Sequence, residues 1–424
     1  MNSTTNKNLN KKTLFSAFIT LLNDRLGESI VFPLLPFLLD KFNSSGSTLG
    51  FLAGTYAISQ FAVSPLIGAL SDRYGRKPII SICVLGSVIG LTIFAITVSL
   101  NWNYILPLWA SSLPIFLLFF ARIVDGISGG TAATATAVLA DISTPETRAK
   151  TFGLIGVAFG LGFLLGPGLG TTLAKFSVTL PVWVAAAIAC LNLFLVINVL
   201  IETHPLEKRK NLPRKRELNP FSQLKRVFEN QSIRTLCLAF FIFFMAFNGF
   251  TAILVLYLKQ AFNWTPEIAS LTFVVVGIIA MIVQGGLIGP LVKRFGELKL
   301  TIIGTGLVLT GCLLLIGANK ENAIQSVFTA VAILACGTGL VTPCLRALIS
   351  KKLNSTSQGA ILGSLQGLQS FGTFIGAAGA GLAYDVIGAK SPFYITSTML
   401  FGVIVLIAEK VNFKNNTEND QDKY

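Results

Sequence analysis

The feature that most limits what this chain can become is its succession of long apolar runs, each about twenty residues and nearly free of charge. Twelve such runs begin near Leu14, Leu49, Pro78, Leu113, Thr151, Pro181, Thr235, Glu267, Lys299, Ala323, Gln358 and Ser391. Each is long enough to cross a bilayer as a helix, in which every backbone polar group is satisfied within the segment. Only 12% of the residues are charged and 53% are hydrophobic, against about 25% charged in a soluble domain. The alternating pattern of a membrane β-barrel is absent. The expected fold class is therefore an all-α polytopic membrane protein of twelve transmembrane helices.

The formal net charge of +14 could suggest a nucleic-acid partner, but its placement reads otherwise. Arg73, Arg76 and Lys77 follow span 2, Arg148 and Lys150 follow span 4, and Lys293, Arg294 and Lys299 surround the turn between spans 8 and 9. The opposite connections carry only Lys41, Lys175, Lys259, Lys320 and Lys390. This is the positive-inside pattern, and it puts both termini in the cytoplasm of a plasma (inner) membrane. Trp102, Trp109, Trp183 and Trp264 fall near the outer ends, where an aromatic belt is expected. No nucleic-acid partner is expected; the polar partners are lipid headgroups.

The six cysteines show no CxxC spacing and read as small apolar residues, with no metal site. His204, the only histidine, reads as a solvated loop residue. No nucleophile constellation or phosphate-binding GxxxxGK[ST] loop is present, so neither an enzyme nor an ATP-driven pump is expected. No cofactor is expected either.

One long polar interruption, residues 202–234, divides the chain into an N-terminal six-helix bundle (1–201) and a C-terminal one (235–424) with a short tail. It reads as a basic cytoplasmic tether, and a short amphipathic helix could place Phe221, Leu224 and Phe228 on one face. The halves echo each other. "GALSDRYGRK" (68–77) recurs as "GPLVKRFGEL" (289–298), an offset of 221. Gly153, Gly162 and Gly166 recur as Gly363, Gly372 and Gly376, an offset of 210. Parallel six-helix repeats are a common plan of secondary transporters, with the site near the midplane between halves.

These residues carry a family resemblance. "GALSDRYGRKPII" resembles the signature between helices 2 and 3 of the major facilitator superfamily, and "RIVDGISGG" (122–130) resembles its helix-4 motif. "GLIGVAFGLGFLLGPGLGT" (153–171) is similar to the helix-5 antiporter motif, with Gly153, Gly162, Gly166, Pro167 and Gly170 in register. Asp24, Gly27, Pro33 and Pro36 are spaced as in the tetracycline and multidrug proton antiporters. The resemblance implies two pseudo-symmetric six-helix bundles, working by alternating access and as a monomer. It also implies a cytoplasmic latch of Gly68, Asp72, Arg73, Gly75, Arg76 and Asp141, with Asp72 docking on helix 11 and pairing with Arg76. In the second copy Lys293 and Glu297 replace Asp72 and Arg76, so the latch is expected mainly in the first half.

Three charges interrupt span 1 in "LLNDRLGESIVFP" (21–33). A charge at the bilayer centre costs about 2.5–3.5 kcal/mol or more and needs a partner or a wet cavity. At 1.5 Å per residue, Asp24 lies roughly 15 Å and Glu28 roughly 21 Å from the inner boundary. Arg122, on span 4, comes out at about 17 Å and Asp125 near ~12 Å. A buried cluster of Asp24, Glu28, Arg122 and Asp125 facing the central cavity is therefore expected to couple protons, with Arg25 paired locally to Glu28 and Asp24 as the main carrier. Static structural pairing is the alternative. Asn248, Gln284, Gln366 and Gln369 are the polar groups that the second half offers to a mostly apolar substrate cavity. With Arg346 assigned to the interface, the second half has no central charge, which argues against a strongly anionic substrate. The expected function is proton-coupled efflux of small amphipathic or cationic compounds. The alternatives are proton-coupled transport of a sugar or other metabolite, and a non-transporting receptor or scaffold on the same fold.

Overall fold

The computed structural model describes the backbone at residues 3–42, 44–105, 107, 112–143, 148–209, 218–352 and 355–421. Among these residues the chain is helical throughout, apart from turns and short connections. The long helices are α1 (Ser3–Val31), α2 (Gly46–Tyr74), α3 (Arg76–Ser99), α4 (Leu113–Asp141), α5 (Arg148–Ala174), α6 (Leu180–Asn198), α7 (Gln231–Phe262), α8 (Pro266–Ile282), α9 (Ile288–Gly317), α10 (Ala323–Lys351), α11 (Ser355–Val386) and α12 (Ser391–Gln421). A shorter linker helix, Pro220–Glu229, precedes α7. Among the described residues eight helical stretches are long and apolar enough to cross a membrane by length and composition; one of them, Pro266–Gly317, runs through α8 and α9.

Local chemistry sets many of the helix ends. Ser45 Oγ accepts from Thr48 N at 3.2 Å and starts α2. Asn230 Oδ1 accepts from Ser232 N at 3.1 Å and starts α7, which ends on Asn263 in the left-handed region (φ 56°). Proline opens α4, α6 and α8, where its missing N–H would be unpaired anyway. Two glycines make the sharp reversals. Gly75 (φ 106°, ψ 160°) separates α2 from α3, and Gly296 (φ 74°, ψ 157°) breaks the helix after α8. They stand at the same offset of 221 as the repeated motif, so the internal repeat is present in the backbone as well as the sequence.

The bundle halves meet along two seams, α2 with α11 and α5 with α8. Lipid offers helices no hydrophobic drive to associate, so close backbone approach over small residues holds them. On the first seam, a Cβ at Gly50 would lie 2.3 Å from the Ala377 carbonyl, and one at Gly381 would lie 2.4 Å from that of Gly46. On the second, a Cβ at Gly277 would meet the backbone of Phe163 and Leu164 at 2.7 Å. These contacts lie toward the end opposite the basic connections. There Asp385 accepts from Gly46 N at 2.9 Å and Ser47 N at 2.7 Å, and Lys259 pairs with Asp40. At the basic end, by contrast, Cβ atoms at Gly68, Gly285, Gly286 and Gly289 would meet nothing within 4 Å. Close small-residue contacts thus join the halves toward the end opposite the basic connections.

The linker helix packs against both halves. Its Leu224 and Val227 are buried, and the Phe221 ring stands 5.3 Å from Phe61 of α2 and 6.0 Å from Phe371 of α11. The segment is therefore more than a tether over its second part. Two tryptophans also differ from expectation. Trp102 donates to the Thr97 carbonyl at 2.9 Å and Trp264 stacks on Phe328, both buried in protein, while Trp183 is exposed. Trp109 lies outside the described residues.

Candidate functional site

Asp24, Arg25 and Glu28 come together as one unit. The Arg25 guanidinium donates to Asp24 and to Glu28, each at 2.7 Å. Arg25 thus pairs with Glu28 and with Asp24 as well, one arginine shared by both acids. Arg122 does not reach either of them. It pairs with Asp125 at 3.6 Å and lies 4.9 Å over the Tyr56 ring. Matching depths had placed Arg122 beside Asp24, but its side chain points around α4 toward α2.

The acids nonetheless share a space. Asp24, Glu28 and Asp125 line one small pocket, together with Tyr56, Ser87 and Asn192. Every lining residue belongs to α1, α2, α3, α4 or α6. The pocket is therefore inside the first bundle, not between the halves as the sequence suggested. Asn192 Oδ1 is buried without a hydrogen-bond partner, so the wall keeps an unfilled acceptor.

The glycines of the helix-5 motif explain how the acids are held. A Cβ at Gly162 would lie 2.6 Å from that of Arg25, one at Gly166 would lie 1.9 Å from Ser29 Oγ, and one at Gly170 would lie 2.7 Å from the Ile30 carbonyl. Ser29 Oγ donates to the Gly162 carbonyl at 2.8 Å. The groove on α5 is thus filled by the stretch of α1 that carries the charges. Pro167 lies inside α5, and the side chain of Gly153's position lies outside the described residues. In the second half Gly376 of α11 is the match, where an added Cβ would lie 2.0 Å from the Met245 carbonyl of α7.

At the basic end Arg76 bonds Asp72 at 2.6 Å, Asp141 at 3.1 Å and Ser71 Oγ at 2.6 Å. Arg73 lies beside the ring of Tyr74, outside this cluster. Gly68 is exposed and its missing Cβ would meet nothing, so it neither forms the turn nor admits a neighbour here. Gly75 does form the turn, and Glu202 fills the space a side chain would need. Sequence reasoning missed Glu202, whose carboxylate accepts from Arg76 N at 2.9 Å and Lys77 N at 3.1 Å. It caps α3, where a negative charge suits the helix N-terminus. Nor is His204 a solvated loop residue: it is buried, with its amide donating to Glu202 at 2.9 Å.

The second half keeps this cluster with its charges exchanged. Glu297, the counterpart of Arg76, pairs with Lys351, which stands 210 residues beyond Asp141. The hydrogen bond from Lys351 holds the Glu297 carboxyl below the usual carboxylate range. The same offset of 210 carried the glycine echo, so the signal was in the sequence.

The four neutral groups offered to a substrate cavity separate. Asn248 donates to the Phe244 carbonyl of its own helix at 2.9 Å, and Gln284 is exposed at the helical break 283–287. Gln369 and Gln366 instead accept from Arg346, at 2.6 and 3.4 Å. The placement of Arg346 at the interface is thereby corrected, because its guanidinium reaches into the bundle. The family signatures, the repeat and the paired bundles now stand together. The chain matches the model of the Major Facilitator Superfamily over residues 15–377 and again over 236–421.

The chain belongs to the Major Facilitator Superfamily.

Within it, the chain is 34% identical over 360 residues to a tetracycline resistance protein, class C, of Escherichia coli, covering 84% of this chain and 86% of that one. It is 28% identical over 396 residues to multidrug resistance protein 2 of Bacillus subtilis (strain 168), covering 91% and 93%. Its fold matches the crystal structure of the human organic anion transporter MFSD10 (TETRAN) with a TM-score of 0.71 and 25% identity, over 94% of this chain and 99% of that one. The protein is an integral, multi-pass membrane transporter of this family.

Proposed function

We propose that the protein exports small amphipathic compounds across a plasma membrane in exchange for protons, with its basic end in the cytoplasm. The observation that carries this reading is Arg25 held between Asp24 and Glu28, two acids that line one pocket with Asp125. Arg25 is shared between two carboxylates. A proton arriving on either carboxylate releases that oxygen and transfers the guanidinium to the other. The geometry of α1 against the α5 groove then changes with the proton, because Gly162 bears directly on Arg25.

The relatives named for tetracycline and multidrug resistance support export of drug-like molecules. The positive-inside pattern supports the orientation. With that orientation, Asp385, Lys259 and the glycine seams hold the outer face closed. In the opposite state, Asp72 and the bare face at Gly68 would close against α11, and the Arg76 cluster would act as the inner latch.

The test is transport by proteoliposomes under an imposed pH gradient with a compound panel. Asp24→Asn and Glu28→Gln, singly and together, are expected to abolish gradient-driven transport. Retention of that transport in the double variant would sink the mechanism.

A further inference from the structure

Arg346 is a half-buried cation with no counter-ion among the described residues of the second bundle. Its guanidinium is held by two neutral amides, Gln369 Oε1 at 2.6 Å and Gln366 Oε1 at 3.4 Å, and lies 5.9 Å over the ring of Phe240. Among the described residues no carboxylate lies within ion-pair distance of it, and its Nε is buried with no hydrogen-bond partner. Amide oxygens orient an arginine but leave its charge standing. A cation in the apolar zone persists when it faces water or a counter-ion.

Escape to the membrane surface does not account for this side chain. Arg346 is five residues from Lys351, where α10 ends, about 8 Å along the axis. Gln369 is fourteen residues into α11 from the same end, about 21 Å. The guanidinium therefore turns inward, away from the headgroups that a surface-seeking arginine would reach.

What lies beside it suits an aromatic molecule. Phe371 stands 6.0 Å from Phe241 with the rings stacked, and 5.1 Å from Phe61 of the first half. Next in sequence to Gln369, Ser370 donates to Gln60 Oε1 at 2.9 Å across the α2–α11 seam. An arginine fork lying over an aromatic face has the chemistry to receive a planar, oxygen-bearing anion.

We propose that Arg346 selects for an anionic oxygen in the substrate, so that the compounds carried are aromatic acids or amphoteric molecules and not simple cations. This rests on the reading of the protein as a transporter. It completes the electrostatics of that reading: the first half presents acids to a proton, and the second presents one unneutralised cation to the cargo.

The experiment measures binding to purified protein in lipid nanodiscs, with no pH gradient, using 2-naphthoate and its neutral analogue 2-naphthamide. Wild type is expected to bind the carboxylate roughly tenfold or more tighter than the amide, the size of one charge-assisted hydrogen bond. Arg346→Gln should bring the ratio close to one, and Arg346→Lys should retain part of it, since lysine keeps the charge without the fork. A cooperative melting transition establishes that each variant is folded. Equal binding of the two probes by wild type, no saturable binding of 2-naphthoate, or an unchanged ratio in folded Arg346→Gln would each overturn the proposal. If Arg346→Gln does not fold, the wild-type ratio and its loss at high salt decide the matter. A preserved binding ratio with no gradient-driven transport would instead sink the antiport reading and leave this one standing.

Discussion

Replacing Gly50 by alanine should drive the protein away from the state seen here, and the structure sets the size of the effect. The added Cβ would lie 2.3 Å from the Ala377 carbonyl oxygen and 3.0 Å from Gly381 Cα. Carbon–oxygen contacts settle at about 3.3 Å or more, so α2 and α11 must part by about 1 Å at this level. Both obstructing atoms are backbone, and neither can rotate aside. The same displacement loosens the approaches of Gly46 to Gly381 and of Gly54 to Phe374 on the same face. Overpacking of this kind costs about 1–3 kcal/mol, a shift of roughly 5–150-fold in the balance between the two end states. Alanine's better helix propensity acts on both states and cancels. Spin labels at the exposed Phe51 and Val386 would read the change as a longer distance gaining population in nanodiscs. Gly379→Ala is the control on α11, since its Cβ would meet nothing within 4 Å. An unchanged distance distribution in folded Gly50→Ala would refute the claim that this seam holds the end closed.

Two further outcomes follow from the contacts. Gly162→Ala pushes α1 at Arg25, 2.6 Å away, and should lower gradient-driven transport about tenfold, whereas Gly168→Ala, facing open space, should leave it unchanged in the same vesicle assay. The Glu297–Lys351 pair has a depressed carboxyl pKa in the folded protein, so its contribution is complete above the ordinary glutamate value of about 4.3 and is lost as pH falls through the depressed value. Lys351→Met should accordingly lower the melting temperature slightly at pH 7, Lys351 being largely exposed, and the difference from wild type should vanish in melts at a pH below the depressed value.

Much of this molecule was fixed by short-range features of the chain. Twenty apolar residues can satisfy their backbone in lipid only as a helix, so the spans were readable one by one. Gly75 suits the turn between α2 and α3, and Gly296 its repeat, because a positive φ favours glycine. The glycine spacing in α5 implied a groove, because residues four apart share a face. What the sequence left open was direction and partner. Counting residues settles how deep Arg122, Asp24 and Arg346 sit, but not which way around its helix each side chain points. That angle put Arg122 on Asp125 and Tyr56, and turned Arg346 onto Gln369. Helix–helix contacts chose α1 to fill the α5 groove and Glu202 to cap α3. Those choices join residues more than a hundred positions apart, which no local spacing encodes; only the packed bundle brings them within reach of one another.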